Sequence, residues 1–238
     1  MKAQNCDFVC GPAMRVSLKR GLARQTMDHA ERCEADLPAL FALARDLSPN
    51  GKAVDRMAGR IVKKAGVVQV SRSTEGLVVV VRNMRHLVNI ADGANVFAET
   101  ALIYTRIHIK PGRHGPAFYL NRASFCRHAL ERFVERSQVA LNLPMLETVD
   151  AEAVRLLRDQ ASGRMIGVGE DSLIRAVAPG AWAGGVDQIF PEDDWGLTLC
   201  DGATRLPLFS VRTFLGPAQM RPTVWLKWND DPLMQMAA

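Results

Sequence analysis

Three side chains that can handle a phosphate recur at a four-residue spacing in SFCRHALERFVERS, residues 124–137: His128, Arg132 and Arg136. On a helix this spacing lines the three up along one border of the apolar face. An imidazole can transfer the proton of a 2′-hydroxyl, and guanidiniums can stabilise negative charge on phosphorus. The pattern therefore favours metal-independent RNA cleavage, with His128 as general acid/base and the two arginines on phosphate. The alternative is an ordinary helix edge whose arginine stems cover the rim of the core.

The segment HALERFVERS resembles the HAxxRxxERG-type helix of the RelE, barnase, EndoU and colicin-nuclease superfamily of bacterial endoribonuclease toxins. The matching positions are His128, Arg132, Glu135 and Arg136, and Ser137 stands where the pattern has glycine. In that superfamily the helix precedes an antiparallel sheet that completes the site. The resemblance therefore implies that the later strand LPLFSVRTFL, residues 206–215, contributes Ser210, Arg212 and Thr213. It implies an endoribonuclease that requires no cofactor.

A second group of candidate residues lies on the predicted strand TALIYTRIHIK, residues 100–110. Alternation places Ile103, Thr105, Ile107 and Ile109 on one face, and Tyr104, Arg106, His108 and Lys110 on the other, with Arg113 and His114 following in the turn. An aromatic ring interleaved with cations on an exposed sheet face can hold single-stranded nucleic acid, because bases stack on the ring and phosphates pair with the cations. A solvated strand face gives the same pattern.

A third constellation joins Cys6 and Cys10 with His29 and Cys33. On a helix, residues 29 and 33 point the same way, and thiolates with an imidazole form a typical ligand set for structural zinc. The alternative is that these are unrelated thiols in a helical layer.

Charge is distributed unevenly along the chain. The net formal charge is +5 over residues 1–66, +5 over residues 67–137 and −5 over residues 138–238. A basic region of this size favours a polyanionic partner, which we expect to be RNA or single-stranded nucleic acid. Two alternatives to the nuclease hypothesis stay open. One is a non-catalytic nucleic-acid-binding module, and the other is a protein-interaction homodimer of the phage accessory or antitoxin-like kind, in which basic and acidic halves pair.

Hydrophobic periodicity predicts an α+β fold. Residues 1–66 are predicted to be a helical N-terminal region, with helices over 14–47 and 52–65. Residues 67–238 are predicted to form an α+β domain of antiparallel sheet with packed helices. Two hairpins are expected, one turning at residues 73–76 and the other at 111–116.

The rest of the chain yields a less regular pattern. A helix is predicted over residues 150–164, while the Gly- and Pro-rich segment 167–194 is predicted to be irregular. Strands are predicted at WGLTLC, LPLFSVRTFL and TVWLKW, with a turn at Asp201-Gly202.

Composition indicates a globular protein of the cytoplasm. Of the 238 residues, 48% are hydrophobic and 23% charged, and no apolar run approaches the length of a membrane span. The first residues lack the apolar core of a signal peptide. Five scattered cysteines form a poor disulfide framework and fit a reducing compartment.

Overall fold

A computed structural model describes residues 11–91, 94–113, 115–141, 144–170, 172–178, 180–189 and 206–232, with backbone alone for 88–91 and 94–98. The described helices are α1 (Pro12–Arg32), α2 (Leu37–Ala44), α3 (Gly51–Ile61), α4 (Arg127–Arg136), α5 (Met145–Ala161) and α6 (Pro222–Asn229). The described strands are β1 (Val67–Ser73), β2 (Gly76–Ala91), β3 (Ala94–Lys110), β4 (Ala117–Cys126), β5 (Ile166–Gly167), β6 (Leu173–Val177), β7 (Gly180–Ile189) and β8 (Leu206–Leu215). The predicted α+β class is confirmed.

All eight strands belong to one sheet in the order β1-β2-β3-β4-β8-β7-β6-β5. Both predicted hairpins are present, since β1 pairs with β2 and β3 pairs with β4 in antiparallel register. The sheet is mixed rather than purely antiparallel, because β8 returns to lie parallel to β4. This pairing needs a long crossover, which is supplied by α4, α5 and the strands β5 to β7.

One face of the sheet, called the front face, carries a large aromatic core. Helices α1, α4 and α5 pack against its side chains Leu102, Tyr104, Phe125, Trp182 and Phe214, all of which are fully buried. Phe133 of α4 places its ring 4.6 Å from Trp182 and 5.0 Å from Phe214, measured between centroids. The apolar half of α4 is therefore fixed by ring contacts with two strands, β7 and β8.

The opposite face, called the back face, carries a second core. Alternation along β3 turns Ile107 and Ile109 to this side, where they pack with Phe41 of α2 and Ile61 of α3. Since α1 packs in the front core and α2 and α3 in the back core, residues on both sides of position 66 share the same two cores.

The prediction of one continuous helix over residues 14–47 is wrong, because the structure has two helices there, α1 and α2. Asp36 caps α2, and its carboxylate accepts a 2.9 Å hydrogen bond from the Ala39 backbone N–H. Pro38 lies in the first turn, where its missing N–H costs nothing. A capping aspartate followed by proline is a start signal that the apolar periodicity alone concealed.

The predicted irregular segment 167–194 is also wrong over most of its described part, because β6 and β7 form a hairpin there. The small residues reflect tight packing rather than a loop. A Cβ added to Gly184 would lie 2.0 Å from the Ser210 carbonyl oxygen, and one added to Gly180 would lie 2.2 Å from that of Leu215. Glycine in this strand thus permits close approach of β8.

The predicted strand TVWLKW is wrong, because these residues belong to α6. Pro222 occupies the first turn, and the indole N–H of Trp228 donates to the Gly180 carbonyl at 2.7 Å. The prediction for WGLTLC and the Asp201-Gly202 turn lies outside the described residues. None of the helices in the described part of the chain is long and apolar enough to cross a membrane.

Candidate functional site

The helix row predicted from sequence is present on α4, but its cations are already engaged. His128 is exposed, and its Nε2 atom lies 3.4 Å from the donating Nε of Arg132. The Arg132 guanidinium also forms a 2.6 Å ion pair with Glu135, which pairs in turn with Lys19 at 2.9 Å. A phosphate at Arg132 would have to compete with this carboxylate.

Arg136 holds α4 against the sheet. Its Nη1 atom donates a 2.8 Å hydrogen bond to the Phe214 carbonyl of β8. Burial, with the charge of Arg132, lowers the pKa of Arg136. The third residue of the row thus has a structural partner on the front face.

A cavity of about 510 Å³ opens on the back face, where β4 ends and α4 begins. It brings together two of the predicted catalytic residues, His128 and Arg212. The other described residues that line it are Leu87, Glu99, Ser124, Cys126, Asp187, Ile189, Leu208, Ser210 and Val211. Arg132, Arg136 and Thr213 are not among these lining residues. The predicted five-residue group is therefore divided between the cavity and its surroundings.

The polar lining of this back-face cavity includes groups that sequence reasoning missed. Glu99 lies opposite Leu87 in the β2–β3 register, and burial raises the pKa of its carboxyl. Cys126 caps α4 through its sulfur, and burial raises the pKa of this thiol. Arg212 forms a 3.4 Å ion pair with Asp187. The β3–β4 hairpin brings Glu99 near Cys126, and the pairing of β4 with β8 adds Arg212 and Asp187; no local pattern indicates that second pairing.

The basic strand face divides into a covered and an uncovered part. Tyr104 is fully buried, and its hydroxyl donates a 2.7 Å hydrogen bond to Asp150 of α5. Burial raises the pKa of Tyr104 well above its ordinary value. This predicted nucleic-acid contact is therefore corrected: α5 covers the ring, and the side chain belongs to the front core.

Beyond the edge of the helices, the front face carries a surface that we call the open patch. It comprises Ser73, Val78, Arg106, His108, Lys110, Tyr119 and Asn121, all partly or largely exposed. Register places them together, since His108 lies opposite both Val78 and Tyr119, and Arg106 lies opposite Asn121. Three of the predicted binding residues are thus brought side by side.

The aromatic ring of the open patch is Tyr119, which replaces Tyr104 in that role. Its side chain is 47% exposed. The Lys110 ammonium lies 4.9 Å from the ring centroid, and the His108 ring centroid lies 6.2 Å away. The hairpin turn predicted from sequence sets this register, so pairing residues outward from the turn would have placed Tyr119 beside His108.

Electrostatics differ between the cations of the open patch. Burial lowers the pKa of Arg106, and burial together with Lys110 and Arg106 lowers the pKa of His108. The His108 Nε2 atom lies 2.9 Å from the Ser73 hydroxyl. Lys110 forms a 2.6 Å ion pair with Glu75, whose side chain is 58% exposed. Arg113 is exposed in the adjoining turn, and His114 lies outside the described residues.

The proposed zinc ligands are only partly described, because Cys6 and Cys10 lie outside the described residues. The Cys33 sulfur accepts a 3.0 Å hydrogen bond from Arg82 and donates to the His29 carbonyl at 2.9 Å. Within the described ranges no three His, Cys, Asp or Glu side chains are grouped as metal ligands. In the structure the Arg82 guanidinium therefore contacts the sulfur that a zinc ion would bind.

Comparison with known proteins gives no family assignment: no family model, no curated protein and no solved structure matches the chain.

Proposed function

We propose that this protein binds single-stranded nucleic acid, with RNA as the first candidate, through the open patch. The observation that carries the proposal is the exposed ring of Tyr119 with the ammonium of Lys110 and the imidazole of His108 beside it. A base can stack on such a ring whatever its identity, because every base has a π face. The neighbouring cations then meet the phosphates on either side.

A single strand fits this surface better than a duplex does. The Tyr119 ring is fixed on the sheet and needs an exposed base face to stack on. In a duplex the base faces are hidden by stacking. Arg106, Lys110 and Arg113 supply the positive charge along the strand and its turn. The apolar side chains Val78 and Val186 lie on the same face, and Val186 is 47% exposed. This mixture of apolar and basic surface is typical of single-strand binding.

The experiment is a titration of fluorescently labelled single-stranded RNA with the full chain, followed by anisotropy. We expect saturable binding. The logarithm of the association constant should fall linearly with the logarithm of the salt concentration, with a slope of about −0.7 for each phosphate that the protein neutralises. A duplex of equal length should bind more weakly. Undetectable binding at low salt, or an affinity that ignores salt, would refute the proposal.

A second candidate function is metal-independent RNA cleavage at the back-face cavity. It is favoured by one observation, the lining of the same cavity by His128 and Arg212. His128 would transfer the proton of the 2′-hydroxyl, and Arg212, released from Asp187, would meet the phosphate. Arg132 and Arg136 would act on the phosphate only after leaving Glu135 and the Phe214 carbonyl.

Cleavage is tested by incubating RNA with the purified chain in EDTA. We expect cleavage that His128→Ala abolishes and that His86→Ala, a change at another exposed histidine, leaves intact. Intact RNA after incubation with the unaltered chain, or equal activity in the His128→Ala variant, rules out this candidate. Binding at the open patch would be unaffected by either result, because the cavity lies on the other face of the sheet.

A further inference from the structure

The back-face cavity contains a carboxyl group that has no partner among the described residues. Glu99 lines it and is partly buried, yet it forms no hydrogen bond or ion pair in the described part of the chain. Burial is the cause that raises its pKa, and no neighbouring cation opposes the effect. A carboxylate removed from water without compensation is unfavourable, so this position is suited to a donor supplied from outside.

A second polar group, the hydroxyl-bearing Ser124, also lines the cavity. Ser124 is only 3% exposed, and its hydroxyl has no hydrogen-bond partner among the described residues. Ser210 lies directly opposite it in the parallel register of β4 and β8 and also lines the cavity. Two hydroxyls therefore line the cavity at the level of Ile103, four residues along β3 from Glu99.

Charge and shape restrict the chemistry of that partner. Glu99 and Asp187 give the cavity two carboxyl groups against the single guanidinium of Arg212, and Arg212 already pairs with Asp187. Glu99 is therefore the carboxyl of the described lining that has no counter-charge paired with it, and it attracts a cation. Cys126 and the imidazole of His128 also line the cavity, and the rest of the lining is aliphatic: Leu87, Ile189, Leu208 and Val211. A volume of about 510 Å³ lies within the range of small-molecule sites.

We propose that the back-face cavity is a binding site for a small organic amine, whose ammonium group donates to Glu99 while its apolar body lies against the aliphatic lining. Ser124 and Ser210 lie farther along the strands and border the space for that body. The site is separate from the open patch, since their side chains point to opposite faces of the sheet. It does not depend on the proposed nucleic-acid binding.

The test is a calorimetric or NMR titration of the full chain with three probes of similar size: benzylamine, benzyl alcohol and benzoate. We expect benzylamine to bind best. Glu99→Gln should weaken it by about tenfold or more, since a hydrogen bond to a charged group contributes about 1.5–3 kcal/mol and 1.4 kcal/mol is tenfold. Glu31→Gln, at an exposed position of α1, is the matched control and should change nothing.

Several outcomes would overturn the proposal. One is no detectable binding of benzylamine at about 10 mM, because a dissociation constant above this concentration would be too weak for a specific site. Another is equal binding of benzyl alcohol and benzylamine, which would mean an apolar cavity only. A third is unchanged benzylamine affinity in Glu99→Gln. If that variant fails to fold by circular dichroism, Glu99→Ala takes its place, and unchanged affinity there would be equally decisive. Titrating the same variants with RNA tests the proposed nucleic-acid binding separately, so failure of the amine site can be told from failure of the proposed function.

Discussion

Tyr104 and Tyr119, the chain's two tyrosines, point to the same face of neighbouring strands but have opposite environments. Tyr104 is fully buried under α5, whereas Tyr119 is 47% exposed beside Lys110. The boundary between them marks where the helical layer ends and the open patch begins. The Tyr104 ring therefore contributes to stability, and the Tyr119 ring is part of the proposed binding surface.

Tyr119→Ala is predicted to weaken RNA binding by about 5- to 150-fold, because stacking contributes about 1–3 kcal/mol per base. The fold should be unaffected, since the side chain is largely outside the core. Anisotropy titration measures the change. Trp225→Ala, at a 39% exposed aromatic residue of α6, is the control and should retain full affinity. If both substitutions weaken binding alike, the open patch has no special role.

Tyr104→Phe is predicted to have the reverse profile, with lower stability and unchanged RNA affinity. The change removes the hydroxyl that donates to Asp150 at 2.7 Å, leaving that partly buried carboxylate with its 2.6 Å ion pair to Arg82. We expect a loss of about 1.5–3 kcal/mol in the free energy of unfolding, the usual contribution of a hydrogen bond to a charged group. Urea denaturation measures it. A variant as stable as the parent would show that Arg82 alone satisfies Asp150.

Local patterns predicted the elements of the open patch well. The alternation in residues 100–110 and the turn at 111–116 established which side chains share a face, and the structure keeps that arrangement. What the pattern lacked was the extent of α5, which reaches Tyr104 but leaves Arg106 and His108 uncovered. Whether a helix covers part of a sheet depends on packing between segments that are distant in the chain. The sequence of a single strand therefore does not indicate it.

The back-face cavity could not be predicted for a related reason. Ser124 and Ser210 meet only because β8 inserts beside β4 after a crossover that includes a hairpin of glycine-rich sequence. That hairpin was predicted to be irregular, since glycine usually signals loops. Here Gly184 accommodates the close backbone of β8, a long-range requirement with the same local signature.

The pH dependence of RNA binding is predicted to report on His108. Burial and the charges of Lys110 and Arg106 lower the pKa of this imidazole below its ordinary value of 6.5, while Glu75 acts weakly in the other direction. His108 is therefore neutral at pH 7, and acidification adds a positive charge next to the bound strand. We expect the affinity for RNA to rise as His108 becomes protonated. The slope of log affinity against log salt concentration should become more negative by about 0.7.

His108→Gln should remove this pH-dependent gain while preserving affinity at pH 7. The sign for stability is opposite. Because the folded state resists protonation of His108, the unfolded chain binds the proton first as pH falls below 6.5, so stability decreases through that window. Titrations and thermal melts of both proteins over the same pH range measure the two effects. Equal pH profiles for parent and variant would assign the titration to another group.

Arg175→Ala is predicted to be the most destabilising single change considered, because it breaks a buried ion-pair network between α5 and β6. Arg175 donates to Asp159 and to Glu152, each at 3.0 Å, and Trp182 donates to Glu152 at 3.2 Å. Arg175 is 5% exposed and Asp159 is 2% exposed. Removing the shared guanidinium leaves two carboxylates close together, with only the largely exposed Arg155 and Arg164 as their remaining cations, which costs about 3–5 kcal/mol.

Arg155→Ala provides the matched control for this network. Arg155 pairs with the same Glu152 at 2.6 Å, but its side chain is 55% exposed, and an exposed pair contributes about 0–1 kcal/mol. Denaturant unfolding of both variants should therefore separate them by about 2 kcal/mol or more. A similar small loss for both would mean that water or a rearranged side chain replaces Arg175. In that case, the contact between α5 and β6 would depend on the apolar packing around Trp182 rather than on buried charge.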